Sequence, residues 1–112
     1  MERDMVLAPV GGRRNVRGGA PAERRLPEMV AEAFGLDADD LEGVTRGCAQ
    51  VALARQAAMY LARVSLGLTL SQAAGLFGRD RTTAAHACRV IEDRRDDPRF
   101  DATLAAIEEA LR

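Results

Sequence analysis

Arg79, Asp80, Arg81, Thr82, Thr83, His86 and Arg89 are gathered within eleven consecutive residues. Their chemistry is that of charge and hydrogen bonding. A guanidinium pairs with two phosphate oxygens or with guanine N7 and O6, and a threonine meets a base edge, a thymine methyl or a phosphate. Catalysis asks for a nucleophile beside a base, paired acids or a loop that cradles a cofactor. None of these patterns occurs; His86 is the single histidine and has Arg89 near it rather than a nucleophile. All 16 cationic residues are Arg, so a phosphate loop with its lysine and lysine Schiff-base chemistry are both excluded. One His and two distant cysteines, Cys48 and Cys88, make a poor metal set. No enzyme activity, cofactor or metal is expected.

The elements that must position these residues lie between Thr69 and Arg95. The spacing predicts a helix from Leu70 to Phe77 and a second from Arg81 to about Arg94. Thr69 followed by Gln72 reads as a capping box, and Asp80 as the second N-cap. Gly78 sits where a tight turn needs positive φ. The first helix turns Leu70, Ala73, Ala74 and Phe77 inward and Ser71 and Gln72 outward. The second turns Ala84, Ala87, Cys88 and Ile91 inward; Arg81, Thr82, Ala85, His86 and Arg89 form the opposite stripe. Arg81 and Thr82 fall in the helical turn that a DNA-recognition helix presents to bases, and Thr83 suits a phosphate. The pattern fits a helix-turn-helix or an ordinary αα-hairpin with a solvated face. For His86, a half-buried packing role weighs equally.

The chain around this unit has 112 residues, enough for one small domain and a tail. Net charge is −1, but it is unevenly spread. Residues 55–95 hold seven Arg against three acids, whereas residues 26–54 hold six acids against Arg46. The positive block coincides with the two-helix unit, so near-neutrality does not exclude nucleic acid. Residues 1–25, with Gly11, Gly12, Gly18, Gly19, Pro9 and Pro21, read as a disordered tail whose arginines at 13, 14, 17, 24 and 25 are solvated or reach DNA. The folded domain is expected over residues 26–112. A helix from Leu26 to Leu36 places Pro27 in its first turn, buries Leu26, Met29, Val30, Ala33 and Phe34, and stops at Gly35. A short turn of helix follows around Leu41, then a loop from Gly43 to Gly47.

Ala49 to Leu66 is the longest helical run. Ala54, Ala57, Ala58, Leu61 and Ser65 form its small inward face, which Leu53, Val64 and Leu68 extend; Arg55, Gln56, Tyr60 and Arg63 lie on another face, solvated or on phosphates. The last helix starts at Asp97-Pro98, with Phe100, Leu104, Ile107 and Leu111 inward. Without a secretory signal, both cysteines are expected free and mostly buried in a reducing cytoplasm. The apolar run Met5 to Val10 is too short to span a membrane.

Arg55-Gln56 opening a helix, Ala58-Met59-Tyr60-Leu61-Ala62-Arg63, Phe77-Gly78-Arg79-Asp80-Arg81-Thr82-Thr83 and His86-Ala87-Cys88-Arg89, in that order, resemble the C-terminal DNA-binding domain of the bacterial replication initiator DnaA. The resemblance covers roughly residues 26–112. It implies an all-α helical bundle with a helix-turn-helix, similar to the Trp repressor, and duplex DNA as ligand. By position it puts Asp80, Thr82 and Thr83 at the recognition-helix start, Arg55 and Gln56 on phosphates, and Leu70 and Ser71 close to DNA. Arg46 stands in the loop from which the family sends an Arg into the minor groove. The family reads Phe-Gly-Gly-Arg-Asp-His-Thr-Thr; this chain has one Gly fewer and Arg81 for His, which predicts a different tilt and a different base. The chain resembles a stand-alone copy of the domain, without the initiator's ATPase.

The first functional reading is therefore a cytoplasmic, nucleoid-associated protein that binds specific DNA and regulates replication initiation or transcription at initiator-type boxes. Its site residues are Arg46, Arg55, Gln56, Leu70, Ser71, Arg79, Asp80, Arg81, Thr82, Thr83, His86 and Arg89. The second is a protein-interaction module, with acidic surfaces at Asp37–Glu42 and the last helix, that modulates the replication initiator or its regulators without reading boxes itself.

Overall fold

The computed structural model describes residues 21–42 and 49–112. Among the described residues six helices follow one another: α1 Pro21–Phe34, α2 Ala38–Glu42, α3 Ala49–Val64, α4 Leu70–Gly75, α5 Arg81–Arg94 and α6 Pro98–Leu111. No strand occurs among the described residues, so the chain is an all-α bundle built on a helix-turn-helix. The expected tail up to residue 20, the loop from Gly43 to Gly47, Arg46 and Cys48 lie outside the described residues. No helix among the described residues is long and apolar enough to cross a membrane.

The core is made largely of alanine. Ala54, Ala57, Ala58 and Ala62 of α3, Ala73 and Ala74 of α4, and Ala84 and Ala87 of α5 are fully buried. Side chains this small let three helices approach closely, since interaxial distance follows the residues at the contact. Leu26, Val30, Leu41, Met59, Leu61, Ile91 and Leu104 fill the wider spaces. The α3 helix packs most extensively on α5, and α6 lies mainly against α1.

The first helix begins at Pro21, not Leu26, and carries Pro27 inside it. Arg24 and Arg25 are thus helical residues rather than tail, and the Arg25 guanidinium donates to the Ala110 carbonyl of α6 at 3.4 Å. A proline at the first helical position and Glu23 in the first turn suit a helix start. Burial of Leu26 and Val30 offsets the backbone bond that Pro27 cannot make. Ala31 is buried and Ala33 exposed, although the 3.6-residue period of Leu26 and Val30 turns Ala33 inward. The stop at Gly35 is as expected, with Leu36 N–H donating to the Ala31 carbonyl at 2.8 Å.

Three residues of the expected long helical run face the other way from expectation. Ser65 is exposed and Val64 is half exposed. The helix ends at Val64, and beyond it the chain turns outward through Ser65. Tyr60, placed with the solvated residues, is 8% exposed. Its ring lies 5.8 Å beneath the Arg95 guanidinium, which removes it from water without leaving its hydroxyl unbonded.

Candidate nucleic-acid interface

The helix-turn-helix is closed by local backbone chemistry. Gln72 N–H donates to Thr69 Oγ1 at 3.1 Å, and Thr69 N–H donates to Gln72 Oε1 at 2.9 Å. This is the capping box that the Thr-x-x-Gln spacing predicts. The helix ends at Gly75 rather than Phe77, yet Phe77 remains buried. Arg79 N–H donates to the Ala74 carbonyl at 3.0 Å across Gly78, whose φ is 67°. That is the six-to-one bond of a Schellman turn. A single glycine therefore completes the turn, and Asp80 follows as the N-cap of α5.

Asp80 is committed to its own helix. Its Oδ1 accepts from Thr83 N–H and from Thr83 Oγ1–H, each at 3.0 Å. The Thr83 backbone bond, and then its hydroxyl, hold the Asp80 carboxyl below the usual carboxylate range. Thr83 is half-buried and spends its hydroxyl on this cap. Past it the helix divides into two faces. Ala84, Ala87 and Ile91 are buried, while Arg81, Thr82, His86 and Arg89 are exposed. The side chains of those four make no hydrogen bond to other described residues. Two guanidiniums, a hydroxyl and an imidazole thus point outward from the first three turns of α5. Cys88 is half-buried and free; burial first, then Glu92, pushes its thiol up, so it stays protonated near neutrality.

The neighbouring helices add cations and polar groups. Arg55 is half-buried and its Nε donates to the Leu41 carbonyl at 2.7 Å, tying α3 to the end of α2. Burial, and secondarily the positive charge of Arg79, lower the pKa of Arg55. Two guanidiniums from different elements are thus within electrostatic reach of each other. Arg79 itself makes a local bond, Nη1 to the Phe77 carbonyl at 3.3 Å. Gln56 is half-buried on the same helix as Arg55, Leu70 is half-buried and Ser71 exposed in the first turn of α4. Arg63, grouped in the sequence with Arg55 and Gln56 as solvated or on phosphates, is exposed, donates to the Leu68 carbonyl at 3.0 Å and lines a groove with Tyr60, Leu70 and Cys88. Among the described residues no group of His, Cys, Asp and Glu is arranged to hold a metal ion.

Comparison with known proteins agrees with this architecture. The family described as the bacterial dnaA protein helix-turn-helix matches residues 24–91. The chain is 37% identical over 89 residues to the chromosomal replication initiator protein DnaA of Symbiobacterium thermophilum, covering 78% of this chain and 19% of that protein. It is 46% identical over 66 residues to the protein of the same name from Bifidobacterium animalis, covering 58% and 11%. A third relative, chromosomal replication initiator protein DnaA 1 of Protochlamydia amoebophila, is 38% identical over 77 residues, covering 65% and 17%. The chain thus spans less than a fifth of the length of these relatives. With α4, the turn and α5 as far as Ile91 inside the matched segment, the chain belongs to the DnaA helix-turn-helix family.

Proposed function

We propose that this chain binds duplex DNA in a sequence-specific manner and regulates replication initiation or transcription at sites related to DnaA boxes. The observation that carries the reading is α5: its inner face is buried alanine and isoleucine, and its outer face offers Arg81, Thr82, His86 and Arg89 to solvent. In this reading α5 enters the major groove, with Arg81 and Thr82 at base edges. Arg55, Gln56, Arg79 and the first turn of α4, at Leu70 and Ser71, follow the phosphate backbone and provide most of the affinity. Arg46, outside the described residues, is the candidate for a minor-groove contact. Asp80 and Thr83 act on DNA indirectly, by fixing the start of α5.

The test is selection of bound duplexes from a random pool at two salt concentrations. An enriched motif with salt-dependent affinity supports the reading, and its similarity to initiator boxes measures the effect of Arg81 and the one-glycine turn. Absence of enrichment at both salts, with recovery of an initiator-associated protein in a pull-down, sinks it in favour of the protein-interaction module.

A further inference from the structure

Arg95 lies at the far end of α5 from the base-reading residues and faces inward. Its Nη1 and Nη2 donate to the two carboxylate oxygens of Glu108 at 2.9 and 3.1 Å. Its Nε donates to Asp101, and Nη1 also reaches the Tyr60 hydroxyl at 3.3 Å. The guanidinium sits 5.8 Å over the Tyr60 ring. Its side chain is 20% exposed. Hydrogen bonding to Glu108 raises its pKa, so the cation persists at any working pH. A planar fork with this many fixed partners has one preferred orientation, unlike the solvated Arg81 and Arg89.

Those partners join three helices. Tyr60 is on α3, one turn past Gln56; Asp101 and Glu108 are on α6; Arg95 is the C-cap of α5. The α3 helix bears the phosphate-side residues and α5 the base-side residues. The two helices pack on each other, and both carry fully buried alanines: Ala54, Ala57 and Ala58 on α3, Ala84 and Ala87 on α5. Alanine ridges are shallow. They set how near two helices come, but they resist rotation less than interlocked large side chains do. The Arg95–Tyr60 contact adds a directional link between α3 and the end of α5. The match to the family ends at Ile91, so Arg95, Asp101 and Glu108 all lie beyond the matched segment.

We propose that Arg95 is a positioning residue for DNA readout: by clamping Tyr60, Asp101 and Glu108 it sets the angle of α5 against α3, so that base and phosphate contacts form together. The inference rests on the DNA-binding reading above. Its test uses the full chain, the best duplex from the pool selection and a random duplex, well below each variant's melting midpoint. Arg95→Gln should lower the ratio of specific to non-specific affinity about tenfold or more, the scale of one lost base contact. The slope of affinity against salt should not change, because no phosphate contact is lost. Tyr60→Phe, which removes only the hydroxyl, should act in the same direction with smaller size. If Arg95→Gln does not fold, Tyr60→Phe and Glu108→Gln carry the test. An unchanged ratio in the folded variants overturns the proposal. So does equal loss on both duplexes with a shallower salt slope, which makes Arg95 a phosphate contact. A wild-type chain with no preferred duplex defeats the DNA-binding reading and this proposal together. A discriminating wild type with equally discriminating variants defeats the proposal alone.

Discussion

Substituting leucine at two adjacent positions of α5 tests the alanine core directly. Ala84 is fully buried between α5 and its neighbours. Ala85, the next residue, is half-buried and borders an open groove of about 360 Å³ lined also by Tyr60, Val64, Leu70 and Cys88. Leucine adds three carbons at either site. At position 84 the close-packed interior has no room for them, and overpacking of this kind costs about 1–3 kcal/mol. For a domain of this size each kcal/mol lowers the melting midpoint by about 4–8 °C. Ala84→Leu should therefore melt roughly 5–20 °C below wild type. At position 85 the added carbons enter the groove beside Leu70 and Val64, and the midpoint should move by only a few degrees in either direction. Thermal unfolding followed by circular dichroism reads both. Equal losses at the two positions would refute the argument, since they would mean that α5 responds to helix-level disturbance rather than to close contact on one face. An unshifted Ala84→Leu would refute it too.

Arg81→Ala should reduce discrimination at one base position by about 1–3 kcal/mol, if the guanidinium is bidentate to guanine; titration against single-base variants of the selected site checks this, and unchanged discrimination removes Arg81 from base readout. Arg55→Ala should weaken selected and random duplexes alike and make the salt slope shallower by about one unit; an effect confined to one sequence contradicts its phosphate role. Gly78→Ala meets no atom within 4 Å, so its penalty is that of a left-handed alanine, about 1–2 kcal/mol, measurable by urea unfolding. The Asp80 carboxylate is stabilised in the folded chain, so its cap is present above the ordinary carboxylate range and is lost as pH falls through the lowered value. Asp80→Asn, which accepts the same bonds without titrating, should match wild type near neutrality and lose stability less steeply in acid. An acid limb identical to wild type would show that the cap does not govern it.

What the amino-acid sequence determined by itself is local. The Thr69–Gln72 box, the Asp80 cap, the Asp97-Pro98 start of α6 and the positive φ of Gly35 and Gly78 each join residues no more than six apart. Their chemistry does not depend on what lies across the molecule. The two faces of α5 were legible for the same reason: a 3.6-residue period separates Ala84, Ala87 and Ile91 from Arg81, Thr82 and Arg89. Only the tertiary structure decided the rest. Tyr60 and Arg95 are 35 residues apart, and neither side chain carries a mark in its own helix that assigns it to the other. Alone, α3 leaves Tyr60 on a plausible polar face and α5 ends in one more arginine. Their pairing exists because α6 folds back to bring Asp101 and Glu108 to the same guanidinium. The proximity of Arg55 and Arg79 likewise follows from the packing of α3 against the helix-turn-helix. Periodicity tells which residues leave the water; the assembled bundle tells which of them meet.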